Sequence, residues 1–117
     1  MIINRAFFGK NNCLKFILNK DKEVYIHLGL KNGDWTWKKV KLNDDELGDI
    51  VLFLQGDKEK VSFFHDFKGD KTQIWFNKKE GHVFVKINDY VKGLAQNEQI
   101  VLLELVKYSI LRSNLLI

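Results

Sequence analysis

Apolar and polar residues alternate singly through Val24, Ile26, Leu28 and Leu30, with Tyr25, His27 and Gly29 between them. This is the period of two expected of a half-buried strand. Lys31-Asn32-Gly33-Asp34 follows as a hairpin turn, since Asn-Gly accepts the positive φ that such turns require, and residues 35–42 make the returning strand. Upstream, residues 2–8 and 13–19 are strand-like pieces, ended by Gly9 to Asn12 and by Asn19 to Lys22. The chain has no proline, so glycine, asparagine and aspartate must make its turns.

The period changes after Leu42. Asn43 with Glu46 three residues on has the form of a capping box, and Leu47, Ile50, Val51 and Leu54 recur at helical spacing until Gly56. Three more strand-like pieces follow at 60–67, 72–77 and 82–88, separated by Lys68-Gly69-Asp70 and by Lys78-Lys79-Glu80-Gly81, with a short eighth piece at 90–95. A final helix starts near Asn97. Its apolar residues, from Ile100 to Leu111, spread around more of the circumference than one contact face needs, which predicts cover from another subunit. The order predicts an α+β fold made of a tandem β-β-β-β-α repeat in a single domain over residues 1–117, repeat one at about 1–56 and repeat two at about 57–117.

With 45% apolar and 29% charged residues, the chain can bury a core and excludes the disordered class. The net charge of +4 comes from 17 lysines and only two arginines, Arg5 and Arg112. Such an excess favours polyanions but reads base identity poorly, because lysine is a point charge and not a rigid fork. Cys13 is the sole cysteine, which excludes an internal disulfide and a multi-cysteine zinc cage. No signal-peptide pattern or membrane-length apolar run is present, so the expectation is a cytoplasmic protein, or one of an organellar matrix after removal of a leader.

Catalytic chemistry finds little support. His27, His65 and His82 fall in three separate predicted strands without metal-ligand spacing, and Gly56, Gly69, Gly81 and Gly93 are isolated turn glycines, not a phosphate loop. The chain reads as non-enzymatic, with no metal and no cofactor. Aromatic and basic residues carry more. Trp35 and Trp37 share one side of a strand and run into Lys38, Lys39 and Lys41; Trp75 is flanked by Lys71 and Lys78; Tyr25 and His27 project opposite the apolar row of their strand. Rings beside cations suit unpaired bases and their phosphates, with stacking worth ~1–3 kcal/mol per base. Tryptophans in the strands of a small protein are also common as core or interface residues, and that alternative stands beside the ligand reading.

Asp34-Trp35-Thr36-Trp37-Lys38-Lys39-Val40-Lys41-Leu42, running into the helix 43–54, resembles the corresponding segment of the Whirly family of single-stranded DNA-binding proteins. Phe63-Phe64-His65-Asp66, about ten residues after that helix, resembles their Phe-Phe-His-Asp stretch, and the last helix is similar in position and apolar pattern. Gly9-Lys10-Asn11-Asn12-Cys13-Leu14 departs from the Lys-Gly-Lys-Ala-Ala-Leu motif of the plant members. The resemblance implies two four-stranded antiparallel sheets packed roughly perpendicular, each followed by a helix, a homotetramer built through the helices, and single-stranded DNA on the sheets with little sequence preference. Related folds in mitochondrial guide-RNA-binding proteins and single-repeat transcriptional coactivators keep, as the alternative, an RNA-binding or transcription-regulating adaptor that uses the same surface. The residues expected to stack are Tyr25, Trp35, Trp37 and Trp75, and those expected to hold phosphates are Lys10, Lys15, Lys38, Lys39, Lys71 and Lys78.

Overall fold

The computed structural model describes residues 2–115. Strands β1 (Ile3–Phe8), β2 (Asn12–Leu18), β3 (Val24–Asn32) and β4 (Asp34–Leu42) pair antiparallel in chain order, and α1 (Asp44–Leu54) follows. Strands β5 (Lys60–Phe67), β6 (Asp70–Lys79), β7 (His82–Ile87) and β8 (Tyr90–Leu94) make a second sheet of the same order, followed by α2 (Gln96–Asn114). The fold is therefore α+β, two four-stranded antiparallel sheets each followed by a helix.

The turns explain where strands end. Gly33 adopts φ 79° between β3 and β4, while Lys68-Gly69 and Glu80-Gly81 both hold positive φ at their two residues. Turns with that twist match the twist of paired strands. The hairpins on either side of β6 therefore need no loop, and β6 runs from Asp70 to Lys79, beyond the 72–77 that periodicity predicts.

Each sheet sends one row of alternating side chains into a common core. Phe7, Leu14, Phe16, Leu18, Val24, Ile26, Leu28, Val40 and Leu42 from the first sheet join Val61, Ile74, Phe76, Val83, Val85, Ile87 and Leu94 from the second. The helices bind the halves together. Phe53 of α1 meets Phe76 of β6 edge-to-face at 5.9 Å, and α2 touches β2 of the first sheet as well as β7 and β8. At the sheet junction the Thr36 and Tyr90 hydroxyls lie 2.6 Å apart, Lys38 pairs with Asp89, and the Asn12 side-chain amide donates to the Val91 carbonyl at 3.1 Å.

The capping box at α1 forms as its spacing predicts. Asn43 Oδ1 accepts from the Glu46 backbone N–H at 2.8 Å, and Glu46 Oε1 accepts from the Asn43 N–H at 2.9 Å. Glu46 Oε2 then meets His65 Nε2 at 2.6 Å, so the histidine of Phe63-Phe64-His65-Asp66 buttresses a helix start. Phe63 packs against the core, whereas Phe64 is 57% exposed and Asp66 faces solvent opposite Lys71.

On α2, Leu102, Val106 and Ser109 are buried, yet Ile100 (64%), Tyr108 and Leu111 (59%) are exposed. Their spacing places them along one side of the helix. Among the described residues no helix is long and apolar enough to cross a membrane.

Candidate nucleic-acid interface

Strand register decides which side chains share a surface, because directly paired residues of an antiparallel sheet point to the same face. On the outward face of the first sheet, Phe8, Cys13, Gly29 and Trp37 form one row across the four strands. Ala6, Lys15, His27 and Lys39 form the next row, and Asn4, Ile17, Tyr25 and Lys41 the one after. Trp35, opposite Lys31, completes the aromatic end. Trp35, Trp37, Tyr25 and Lys15 are half-buried, while Phe8, Lys31, Lys39 and Lys41 are exposed, so the face is open to solvent.

The aromatic residues are ordered against one another. Trp35 and Trp37 stack with centroids 5.4 Å apart and planes 19° from parallel, and Phe8 meets Trp35 edge-on at 6.2 Å. Gly29 makes this possible: a Cβ there would lie 2.6 Å from the Trp37 ring, closer than carbon atoms approach. Absence of a side chain in β3 gives the indole its bed on the backbone. Lys15 Nζ sits over the Trp37 ring, 4.5 Å from its centroid. By register Lys15 belongs to the row on the far side of Trp37 from Trp35, so one ring face meets indole and the other meets ammonium.

Charge on this face is positive and mostly unpaired. Lys41 is held by Glu23 at 2.6 Å, an ion pair that raises the lysine pKa and lowers that of the glutamate. Among the described residues Lys15, Lys31 and Lys39 have no carboxylate within ion-pair distance. His27 lies between Lys15 and Lys39 in the same row, and burial, helped by these two ammonium groups, pushes its pKa down to about 4. At neutral pH the imidazole is uncharged. Beneath Lys15, next to Trp37 and His27, is a recess of about 250 Å3 completed by Asn4, Ile17 and Lys39.

The structure thus brings Lys15, Tyr25, Trp35, Trp37 and Lys39 together. It separates the others. Lys38 has the opposite parity from the tryptophans, pairs with Leu28 of the inward row and spends its charge on Asp89 while lying over the Tyr90 ring at 4.7 Å. Lys10 is exposed in the β1–β2 turn, away from the strand rows. Lys71 stands at the tip of the β5–β6 hairpin opposite Asp66, and Lys78 turns inward, its Nζ 5.0 Å from the Phe53 ring centroid.

Trp75 belongs to the outward face of the second sheet, where its neighbour is Lys86, 5.4 Å from ring centroid to Nζ, and neither Lys71 nor Lys78. On the same face Phe84 lies across from Gly93, where a Cβ would come within 3.1 Å of the ring. Lys86, Phe84 and Phe8 were invisible to local sequence motifs, because each joins its aromatic partner only through pairing with another strand. Lys38 and Lys78 could have been assigned from sequence by counting parity from the inward residues Val40 and Phe76.

The lone thiol takes no part. Cys13 is fully buried beneath this face, and burial pushes its pKa up, which removes the thiolate that a nucleophile needs.

The fold is similar to that of a chain from the crystal structures of Trypanosoma bruciei MRP1/MRP2, with a TM-score of 0.60 over 95% of this chain and 84% of that one. Sequence identity is 11%, so the likeness concerns the fold alone. No family model and no curated protein matches the sequence.

Proposed function

We propose that this protein binds single-stranded DNA with little sequence preference, as a Whirly-like homotetramer serving DNA replication, repair or recombination. The observation that carries the reading is the stacked Trp35–Trp37 pair on a solvent-open strand face, beside lysines that no carboxylate neutralises. Rings at this density outside the core offer π-faces to unpaired bases, and Lys15, Lys31 and Lys39 offer charge to the backbone. Successive rows are two residues apart along a strand, roughly 7 Å, so rings and ammonium groups alternate at about the reach of one nucleotide. The chemistry is binding, with no catalytic group in it.

The α2 stripe of Ile100, Tyr108 and Leu111 supports assembly, since exposed apolar surface on a small domain is costly in water unless another surface covers it. A second copy of the chain provides a matching stripe about a two-fold axis.

Titration with oligothymidylate should quench tryptophan fluorescence, and log affinity should fall against log salt with a slope of ~0.7 per neutralised phosphate. Trp37→Ala should weaken binding by about tenfold, the worth of one stacked base, in a protein that still folds. Salt-independent binding, or none, would sink the proposal. RNA would use the same rings and cations, and competition between DNA and RNA of equal sequence separates the two through the 2′-hydroxyl.

A further inference from the structure

The recess beside Trp37 differs from the rest of the face in what lines it. Ile17 and Trp37 line it with apolar and aromatic surface, and Asn4, His27, Lys15 and Lys39 bring polar side chains to it. Two of those groups are idle: neither the Asn4 carboxamide nor the His27 imidazole makes a side-chain hydrogen bond among the described residues. His27 is half-buried, and a half-buried polar group without a partner gives up hydration and gains nothing in return unless a ligand completes it, while Asn4 stands exposed at the rim beside it.

The chemistry of the pair is specific. A carboxamide and a neutral imidazole each carry a donor and an acceptor, whereas ammonium groups only donate. The edge of a nucleobase likewise presents donors and acceptors side by side, and a phosphate presents acceptors alone. Asn4 and His27 therefore match a base edge, and Lys15 and Lys39 match a phosphate.

We infer that this recess seats one unpaired nucleobase of a bound strand, its plane against Trp37, its edge on Asn4 and His27, and its phosphate between Lys15 and Lys39. The inference rests on the proposed single-strand binding and adds to it a position where the base itself is felt. Lys15 now covers the Trp37 face that points into the recess, since Trp35 takes the other. An entering base displaces that ammonium, which lies within a side chain's swing of the phosphate it then meets.

The test uses the full chain and two strands of equal length and charge, an oligothymidylate and a strand that is abasic throughout. The unmodified protein should bind the first at least about a hundredfold more tightly than the second, the seated base being both stacked and held by its edge. In Asn4→Ala/His27→Ala that preference should fall about tenfold, the stack on Trp37 remaining. The His27 ring resonances of the unmodified protein should shift with oligothymidylate and stay in place with the abasic strand, a reading that does not depend on the variant folding. An unaltered preference in the variant, or a His27 ring indifferent to both strands while binding persists, overturns the base seat and leaves single-strand binding intact. Failure of both strands to bind removes the proposed function and this inference with it.

Discussion

Acid should loosen this fold through His27. The unfolded chain takes up a proton on that imidazole near 6.5, whereas the folded chain does so only near about 4, because the ring is half-buried between Lys15 and Lys39. Between those two values the unfolded state holds the extra proton, so stability falls as pH falls. Above the upper value the ring is neutral in both states and the cost is absent; below the lower it is charged in both and the cost is complete. Unscreened, the gap is worth about 3 kcal/mol. Water reaches half of the ring and screens its repulsion with the lysines, which reduces the expectation to ~1–2 kcal/mol. That is still a sizeable part of the ~5–15 kcal/mol that holds a domain together. The perturbation is His27→Gln, which keeps a donor and an acceptor but cannot charge. Urea unfolding at pH 7 and at pH 4 should show the unmodified protein losing ~1–2 kcal/mol more than the variant over that interval. Glu23 and Asp89, whose pKa values are lowered by Lys41 and Lys38, also lose stabilisation in acid, but they are common to both proteins and drop out of the difference. Equal losses, or an imidazole that titrates near 6.5 in the native protein, would refute the reasoning.

Gly29→Ala should push the Trp37 ring off its bed, since the new methyl would start 2.6 Å from it; the lost stack costs ~0.5–1.5 kcal/mol and near-ultraviolet circular dichroism should report the change. Glu46→Ala removes one half of the α1 capping box and the partner of His65 together, and should lower stability by ~1–2 kcal/mol, read as a drop of several degrees in Tm. Ile100→Glu with Leu111→Glu places charge on the uncovered stripe of α2, leaves the core untouched, and should reduce the mass measured by light scattering toward one chain.

Much of the fold was legible along the chain because its signals are local. Strict alternation marked β3, the Asn43–Glu46 spacing marked the start of α1, and glycine in left-handed turns marked the hairpins. The site was legible only in part, since a surface on a sheet is assembled across strands. Trp35 and Trp37 could be placed on one side together by parity within β4. That Gly29 lies under Trp37, that Lys15 caps it, and that His27 sits between two ammonium groups depend on the registers of β2 with β3 and of β3 with β4. Adjacency in sequence misled in the opposite direction: Lys38 follows Trp37 directly and therefore points away from it, and Lys78 follows Phe76 at the spacing that turns it inward.

The inward rows of both sheets already supply a complete core of aliphatic and phenylalanine side chains. Trp35, Trp37, Trp75 and Phe84 are therefore surplus to folding, and an outward ring leaves apolar area in water at ~25 cal/mol per Å2. The two sheets treat this surplus alike without sharing a motif. Each lays a ring over a glycine, Trp37 over Gly29 and Phe84 over Gly93, and each brings a lysine to an indole, Lys15 to Trp37 and Lys86 to Trp75. A strand glycine weakens its sheet, while an ammonium over an exposed ring gains only ~0.5–1 kcal/mol. The glycine cost recurs at outward positions of both sheets, and a partner that is flat and anionic at once would recover it.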